Sequence, residues 1–431
     1  MAQLDFFIVN VALDGIGRSF PATTVAGVSW VLSAYAIVFA AVLVPAGRIA
    51  DQWGRRKMLL AGVSVFTLTS AVAAAAPSLT VLVAARAVQA VGAAMIVPTS
   101  LGLLYPSFPK RQHTLVVGIW AGVAAIAASA GPPVGGLLVT LDWRWIFLIN
   151  LPIGAVTFIA GRVLLPEVRQ PKGAPLPDAA SVVTLLGAVS LLVLGTVQAG
   201  QWGWTDTRTL ALFAAAVLAG TATVERTLRA KSPVIEKQLF TSRPFTAATI
   251  ALFLFFVGFA IVLLSTTLFL QEVWSFSPLR AGFAIAPAPL ASIAFAMNAG
   301  PIQRRFGRTA PAVTGSLILA LAAVYWLIAV HTTPGYWTGM FPGLILVGLA
   351  GGLAQAPLFA AAATLAPERA TTGSAVLNMG RQIGSAVGVA VLVALAPTPT
   401  TDAFDHAWWV QASAGTASAA ALLILQPRST P

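Results

Sequence analysis

The chain has no cysteine and few charged residues. Without cysteine it has no disulfide bonds, no thiolate metal sites and no cysteine nucleophile. Charged residues make up 9% of the 431 residues, whereas ordinary soluble domains carry about 25%. The 3 histidines, His113, His331 and His406, lie far apart and do not form a metal-binding spacing. These absences argue against a soluble protein and against a metalloenzyme.

Hydrophobic residues, by contrast, make up 58% of the chain and fall in long runs. A helix needs about 20 apolar residues to cross the hydrocarbon core of a bilayer. Fourteen runs, from Ala2–Leu13 to Trp408–Leu425, are candidates for such helices. The first would rise only about 18 Å as a helix, so we expect a truncated first span whose remainder lies upstream. No cleavable signal peptide is predicted, because a charged n-region is missing.

The basic residues predict the orientation of these spans, since short loops rich in Lys and Arg stay on the cytoplasmic side. With both termini in the cytoplasm, 19 of the 25 Lys and Arg residues fall inside; the others are Arg18, Arg144, Arg208 and Arg280 outside, and Arg86 and Arg381 within spans. Membrane topology therefore explains the net charge of +12 better than nucleic-acid binding does. We expect a multi-pass protein of the inner or plasma membrane.

The loop from Gly47 to Leu60 is predicted to be a tight polar hairpin between two spans. It carries four basic residues, Arg48, Arg55, Arg56 and Lys57, and one acid, Asp51. Its glycines, Gly47 and Gly54, permit close backbone approach and positive φ. Asp51 is placed to cap a helix N-terminus or to pair with a nearby arginine.

The same pattern returns later in the chain as GPIQRRFGR. Gly47, Asp51, Gly54 and Arg55 correspond, at one constant interval, to Gly300, Arg304, Gly307 and Arg308. The repeat predicts two pseudo-symmetric bundles, and the change from Asp51 to Arg304 indicates that their loops are not functionally equal.

The predicted fold is therefore an all-α polytopic membrane protein of six plus two plus six spans. Residues 1–165 form an N-terminal six-helix bundle, residues 166–244 a linker with two extra transmembrane helices, and residues 245–431 a C-terminal six-helix bundle. The loops leave no room for a soluble catalytic domain, and no Gly-rich loop with lysine is present to hold a nucleotide phosphate. Neither an enzyme nor an ATP-driven pump is expected.

Three ionisable residues within the predicted spans are the candidates for chemistry. A charged side chain at a helix centre costs about 2.5–3.5 kcal/mol on insertion scales, so it is seldom placed there without a partner or a watery path. Asp5, the only acid inside a predicted span, is the natural site of reversible protonation or else a structural residue. Arg86 is its expected partner, with a helix-locking salt bridge as the alternative. Arg381 could instead snorkel or bind carbonyls at a kink.

Span five contains the motif SAGPPVGG. Gly131 and Gly135 share one helix face and permit close packing of a neighbouring helix. Pro132 and Pro133 remove backbone donors and are expected to bend the span. Together with Gly136, these residues are candidates for a conformational hinge.

Seven segments in order resemble the major facilitator superfamily, and the fourteen spans resemble its drug:proton antiporter branch. The segments are LDFFIVNVAL (4–13), GRIADQWGRRK (47–57), RAVQAVGAA (86–94), AGPPVGG (130–136), WRWIFLINLPIG (143–154), LFLQEVWSFSPLRAG (268–282) and NMGRQIGSAVG (378–388). The sequence departs from the usual motifs at Asp14, Ala90 and Ser275.

The resemblance implies roles for individual residues. Asp5 and Asn10 match the first-span motif, and Arg86 and Gln89 match the proton-linked motif of span four. The cytoplasmic gate loop corresponds to Gly47, Asp51, Gly54 and Arg55, with Arg56 beside them, and the antiporter motif corresponds to Gly131, Pro132, Gly135 and Gly136.

The function expected from these motifs is export of small lipophilic molecules in exchange for protons by alternating access of a site near the membrane midplane. The proton gradient is the energy source and no cofactor or metal is required. The expected partners are a small-molecule substrate, protons and lipid, not nucleic acid, and the chain is expected to act as a monomer. A uniporter or proton symporter of a metabolite, or a transport-inactive sensor, would fit the same fold.

Substrate contacts are predicted from residue type and position within the spans alone. The candidates are polar, aromatic or basic residues within spans: Asn10, Trp30, Tyr35, Gln89, Gln355, Asn378 and Arg381. Apolar walls with a few such groups suit lipophilic compounds. Ordinary packing between helices is the alternative for each of them.

Overall fold

The computed structural model describes residues 1–20, 25–168, 177–296, 299–307, 309–366, 369–395 and 400–425. All regular structure within these residues is helical. The first nine α-helices are α1 (Ala2–Ser19), α2 (Val25–Trp53), α3 (Arg55–Ala74), α4 (Leu79–Ser107), α5 (His113–Val139), α6 (Trp145–Leu148), α7 (Asn150–Leu164), α8 (Ala179–Trp202) and α9 (Thr207–Arg229). The others are α10 (Arg243–Leu268), α11 (Pro278–Ile285), α12 (Pro287–Ala296), α13 (Ala299–Phe306), α14 (Ala310–Ala329), α15 (Phe341–Ala360), α16 (Ala370–Leu395) and α17 (Thr401–Leu425).

Eleven helical segments among the described residues are long and apolar enough to cross a membrane. They coincide with eleven of the predicted spans, so the count of fourteen stays a prediction for the first, fifth and tenth. The predicted length of the first was wrong, because α1 has 18 residues and continues as helix through Gly15 and Gly17 to Ser19.

The predicted hairpin at 47–60 was wrong in its extent. Helix α2 continues through Asp51 to Trp53, and α3 begins at Arg55, so the reversal occurs at one residue, Gly54. Gly54 has φ 120°, a conformation that strains other residues. Its counterpart in the repeat, Gly307, has φ 99°. The shared geometry agrees with the internal repeat.

The tenth predicted span is not one continuous helix. Helix α11 ends at Ile285, and α12 begins at Pro287. The break follows from Pro287, since proline lacks the amide hydrogen needed for a helical hydrogen bond and its ring clashes with the carbonyl four residues earlier.

The chain divides into two compact units by contact. The first comprises Met1–Pro109, Ala127–Lys237 and Ala366–Met379, and the second comprises Lys110–Ile126, Gln238–Leu365 and Gly380–Pro431. In the first unit, α4 packs against α2 and α3, while α8 packs against α2 and α9. The predicted domain boundaries at 165 and 244 follow the internal repeat, whereas these two units follow contacts between residues. The predicted boundaries stay a prediction.

The second unit is built on α10, α14, α15 and α17. Helix α17 packs against α10 and α14, while α15 packs against α12 and α14. Large aromatic side chains fill the space between them: the ring centroid of Trp408 lies 5.8 Å from that of Trp326 and 5.5 Å from that of Phe269. This aromatic core is buried and fixes the relative positions of the helices within the unit.

The two middle helices are capped by acids. The Asp178 carboxylate accepts hydrogen bonds from the backbone amide of Ser181 at 3.0 Å and from its hydroxyl at 2.9 Å. These bonds hold the pKa of Asp178 below its ordinary value, because they favour the ionised carboxylate. The amide of Arg208 donates to Asp206 at the start of α9. Both caps begin their helices where the apolar runs begin.

Close packing of α3 and α4 depends on facing glycines. A Cβ placed on Gly92 would lie 2.8 Å from the backbone nitrogen of Phe66 and 2.9 Å from the carbonyl oxygen of Gly62. Backbone atoms cannot move aside as a flexible side chain does. Gly92 therefore sets how closely α4 approaches α3.

Gly92→Ala is expected to destabilise the protein, since overpacking costs about 1–3 kcal/mol and exceeds the roughly 0.5–1 kcal/mol that alanine contributes to a helix. The matched control is Gly220→Ala on α9, where no atom of the described part of the chain lies within 4 Å of an added Cβ. Thermal unfolding in detergent should show a lower midpoint for Gly92→Ala only. A midpoint at or above that of the native protein would contradict this packing.

Candidate functional site

Asp5 lies in the first turn of α1 and is buried in an apolar cluster. Its side chain is only 1% exposed. Ile8 and Val9, on the same helix, pack with Leu82 of α4 and Phe147 of α6 in the surrounding core. A carboxylate in such surroundings loses its hydration, so it needs polar partners from the protein.

Three side chains from two other helices supply these partners. Arg86 Nη1 of α4 lies 2.5 Å from Asp5 Oδ2, and the pair is completely buried. Asn150 Nδ2 of α7 donates to Asp5 Oδ1 at 2.8 Å, and Gln89 Nε2 donates to the same oxygen at 3.2 Å. The Asp5 carboxylate therefore joins α1 to α4 and α7.

Arg86 connects the same cluster to α2. Its Nε donates to the backbone oxygen of Val31 at 3.2 Å, and its guanidinium carbon lies 4.2 Å from the centroid of the Tyr35 ring. Gln89 reaches α3 through a 2.7 Å hydrogen bond from its Nε2 to the hydroxyl of Ser70. We call these six residues the Asp5 cluster: Asp5, Tyr35, Ser70, Arg86, Gln89 and Asn150.

Two atoms of the Asp5 cluster remain without a hydrogen-bond partner among the described residues, Arg86 Nη2 and Asn150 Oδ1. Buried polar atoms are normally satisfied, so each exception calls for an explanation such as a functional role or a bound water. Removal of one partner from a buried ion pair costs about 3–5 kcal/mol. The cluster is thus a strongly coupled network that is not saturated.

The structure brings together residues that the sequence analysis named separately. Asp5 and Arg86 form the expected pair, and their role in proton coupling stays a prediction. Tyr35 and Gln89, named as substrate candidates, lie in the Asp5 cluster, and their contact with substrate stays a prediction. Asn150 was missed, although it stands as an amide within the apolar segment WRWIFLINLPIG.

A second polar cluster surrounds Asp51 near the end of α2. Asp51 Oδ1 pairs with Arg55 at 2.9 Å. Asp51 Oδ2 accepts hydrogen bonds from the amide of Thr372 at 2.9 Å and from its hydroxyl at 2.8 Å. Thr372 lies in the first turn of α16, so Asp51 caps that helix and also pairs with arginine, the two roles that its sequence position predicted.

Two glycines permit this contact. A Cβ on Gly47 would lie 2.6 Å from Ala375 Cβ and 3.1 Å from the backbone oxygen of Thr371. A Cβ on the other, Gly102 of α4, would lie 3.1 Å from Thr371 Cβ, and the Gly102 carbonyl accepts a 2.9 Å hydrogen bond from Arg55 Nη1. Helices α2 and α4 therefore both lie against the start of α16, as close backbone approach requires.

The turn at Gly54 is covered by the start of the linker. The amide of Arg55 donates to the oxygen of Val168 at 2.8 Å, and Arg56 Nη1 donates to the oxygen of Leu165 at 3.0 Å. The Glu167 carboxylate accepts a 3.2 Å bond from the amide of Arg56. The orphan amides at the start of α3 are thereby satisfied.

Glu236 makes a further contact that the sequence did not suggest. Its carboxylate pairs with Arg48 of α2 and, at 2.5 Å, with Arg369 just before α16. Glu236 is 9% exposed, so this three-charge bridge is largely shielded from solvent. It links the segment after the two middle helices to the same end of α16 that Asp51 caps.

Glu236→Gln is expected to loosen the start of α16, because two arginines lose a shielded partner. Trypsin should cleave after Arg369 about tenfold faster, because a tenfold change corresponds to roughly 1.4 kcal/mol in the stability of the start of α16. Glu225→Gln is the matched control, since its pair with Arg229 is exposed and such pairs contribute little. Equal cleavage rates for the native protein and Glu236→Gln would remove the bridge from the account.

The structure shows the surroundings of some residues of the span-five motif. A Cβ on Gly135 would lie 3.1 Å from the backbone oxygen of Ile8, so α5 approaches α1 closely beside the Asp5 cluster. Among the described residues, no atom lies within 4 Å of a Cβ on Gly136. Gly131 is buried, and the backbone stays helical through Pro132 and Pro133, whose side chains lie outside the described residues. The bend predicted for them stays a prediction.

The remaining substrate candidates differ in burial. Trp30 and Gln355 are half-buried, and the side chain of Asn10 lies outside the described residues. Asn378 is fully buried and donates a 2.9 Å bond to the backbone oxygen of Ser374 on its own helix. Their roles stay predictions.

The prediction that Asp5 is the only acid in a span was wrong. The candidate spans also include Asp51, Glu225, Glu272, Asp402 and Asp405. Long-range partners make this placement possible for Asp51, since Arg55 and Thr372 satisfy its carboxylate within the helix.

Comparison with known proteins identifies the family to which this chain belongs. The model of the Major Facilitator Superfamily matches residues 1–389. The chain is 33% identical over 414 residues to the tetracenomycin C resistance and export protein of Streptomyces glaucescens, covering 95% of this chain and 76% of that protein. It is 34% identical over 414 residues to the methylenomycin A resistance protein of Streptomyces coelicolor, covering 94% and 85% of the two chains. It is 34% identical over 397 residues to the multidrug resistance protein Stp of Mycobacterium tuberculosis, covering 91% and 73%.

A solved structure supports the fold independently of sequence. The human organic anion transporter MFSD10 (TETRAN) is similar with a TM-score of 0.66 and 14% identity, over 98% of this chain and 95% of that chain. At this identity the likeness concerns the fold, which is that of an all-α, multi-pass membrane protein. This chain belongs to the Major Facilitator Superfamily, a family of transporters rather than enzymes.

Proposed function

We propose that this protein exports small drug-like molecules across the cell membrane in exchange for protons, by alternating access. Three relatives that are 33–34% identical over nearly the whole chain are named for resistance or export. The proposed orientation, with both termini in the cytoplasm, follows from the basic residues. A buried carboxylate in the Asp5 cluster is the observation that supports proton coupling most directly.

Protonation of Asp5 would change the packing of several helices. In the ionised form its two oxygens accept hydrogen bonds from Arg86, Gln89 and Asn150. A proton on Asp5 removes the charge that pairs with Arg86 and places a new donor among three existing donors. The protonated cluster therefore favours another arrangement of α1, α4 and α7, and proton occupancy biases the conformation of the transporter.

The Asp51 cluster has a complementary role in this proposal. It holds the start of α16 against α2 and α4 through a carboxylate that is fully buried. We assign it as a latch that stabilises one of the alternating states. Span five, which contacts α1 beside Asp5 at Gly135, transmits the change between helices.

Proteoliposomes that contain the full chain test the proposal under an imposed pH gradient. Ethidium, tetracenomycin C and methylenomycin A serve as probes. Exchange predicts that at least one probe moves against the direction of proton flow and that reversal of the gradient reverses its movement. Probe movement that ignores the gradient would indicate a uniporter, and movement with the protons a symporter. No movement of any probe would indicate a protein without this activity.

A further inference from the structure

Arg381 lies near the middle of α16, in the second unit. The helical rise from Arg381 is about 17 Å back to Ala370 and about 21 Å forward to Leu395. An arginine side chain is shorter than either distance, so its guanidinium cannot reach the interface by snorkelling. The charge therefore has to be accommodated within the span.

No described side chain neutralises Arg381. Its Nε is buried without a hydrogen-bond partner. Among the described aromatic residues, Phe256 contacts it, with a ring centroid 5.6 Å from the guanidinium carbon. The three buried arginines of the first unit, Arg48, Arg55 and Arg86, each pair with a described carboxylate. Arg381 differs from these three arginines because its described neighbour is an aromatic ring rather than a carboxylate. A ring does not satisfy the hydrogen-bond donors of a guanidinium.

The surroundings of Arg381 are aromatic and polar. On α10, the ring of Phe259 lies 5.6 Å from that of Phe256. A Cβ placed on Gly351 of α15 would lie 3.6 Å from Phe259, 3.1 Å from Gln355 Nε2 and 3.3 Å from the hydroxyl of Ser292. A row of rings therefore leads from the guanidinium to an amide and a hydroxyl. Phe259, Gln355 and Ser292 are half-buried, as is Arg381.

We propose that Arg381 binds the carboxylate or phenolate of an aromatic substrate, whose rings lie against Phe256 and Phe259. A guanidinium holds a carboxylate through two parallel hydrogen bonds, which fixes both charge and orientation. Flat aromatic surfaces suit the neighbouring rings, and Gln355 and Ser292 can bind further polar groups. The inference rests on the proposed export function and gives its substrate class: aromatic compounds with one negative charge.

The first test uses the native full chain in phosphatidylcholine nanodiscs, with empty nanodiscs as the blank. The probes are radiolabelled naphthoate and its methyl ester, which share the ring and differ in charge. Naphthoate is expected to bind about tenfold more tightly than the ester or better, as loss of a charge-assisted hydrogen bond predicts. Equal affinities, or no binding of naphthoate, would overturn the proposal.

Variants then assign the preference to one residue. Arg381→Gln should remove the preference for naphthoate and leave ester binding unchanged, while Arg381→Lys should retain part of it, since the charge remains without the planar fork. Arg280→Gln is the matched control, because Arg280 belongs to the same unit but is exposed and lies over Phe276. Equal weakening of both probes in Arg381→Gln would indicate a packing role and overturn the proposal. If Arg381→Gln does not fold, the comparison of the native protein with Arg381→Lys decides.

The phosphate of an anionic lipid can bind the same donors of Arg381. A second experiment therefore distinguishes an aromatic substrate from a lipid. Phosphatidylglycerol added to the nanodiscs should leave naphthoate binding unchanged. Displacement of naphthoate by this lipid would assign Arg381 to the membrane and overturn the proposal. These measurements use no pH gradient, so a failure of proton exchange in proteoliposomes leaves them interpretable.

Discussion

Arg86→Ala is expected to abolish proton-driven export and to destabilise the protein by about 3–5 kcal/mol, because it leaves Asp5 buried without its cation. Asn150 and Gln89 still donate to the Asp5 carboxylate, but neutral donors do not replace a full charge. Arg86 also holds the backbone oxygen of Val31 and lies against the Tyr35 ring. Loss of these contacts weakens the packing of α4 against α2. Export assays in proteoliposomes and thermal unfolding in detergent measure the two effects.

Two further variants separate charge from packing. In Asp5→Asn/Arg86→Ala the lone charge is gone, so this double variant should be more stable than Arg86→Ala alone while it remains inactive. Arg144→Ala is the matched control, since Arg144 lies in an exposed pair with Asp142 and its loss should change stability by less than about 1 kcal/mol. Full export by Arg86→Ala would remove Arg86 from the mechanism.

Asp51→Ala is expected to release the start of α16. The substitution removes two hydrogen bonds to Thr372 and the carboxylate that pairs with buried Arg55, whose Nη1 still donates to the Gly102 carbonyl. The cost should again approach about 3–5 kcal/mol, as for a buried charge that loses its partner. Backbone amides of residues 370–379 should exchange hydrogen faster, and export should fall about tenfold or more by the arithmetic of roughly 1.4 kcal/mol per decade.

The control for this latch is an acid in an exposed pair. Asp142→Asn weakens only the contact with Arg144, in which both side chains are exposed, and it should leave exchange and export unchanged. Asp51→Asn keeps an acceptor for Thr372 but loses the charge beside Arg55, so its effect should lie between those of the native protein and Asp51→Ala. Unchanged exchange at 370–379 in Asp51→Ala would contradict the assignment of Asp51 as a cap.

The sequence identified lone charges more readily than it identified their partners. Asp5 and Arg86 stood out because each interrupts an apolar run, where an ion is costly. Asn150 and Ser70 did not, since a neutral amide or hydroxyl is common in spans and costs far less. Only the fold shows that Asn150 reaches Asp5 and that Ser70 accepts from Gln89.

The ends of helices were predicted poorly for a related reason. The charges of Arg48 and Asp51 indicated a loop, but helix α2 continues to Trp53 because those charges find partners far along the chain. Glu236 pairs with Arg48, and Thr372 donates to Asp51. Neither partner lies near Arg48 or Asp51 in sequence, so no local sequence pattern could predict these contacts. The break at Pro287 had a local signal in the proline itself.

Proton coupling through Asp5 is the central claim, and Asp5→Asn tests it most directly. The same proteoliposomes are assayed twice with a probe that the native protein exports: once for accumulation driven by a pH gradient, and once for exchange of labelled for unlabelled probe without a gradient. Asparagine is close to aspartate in size but cannot release a proton, so we predict that accumulation is lost while exchange persists. Gradient-driven accumulation at the native rate in Asp5→Asn would contradict the account.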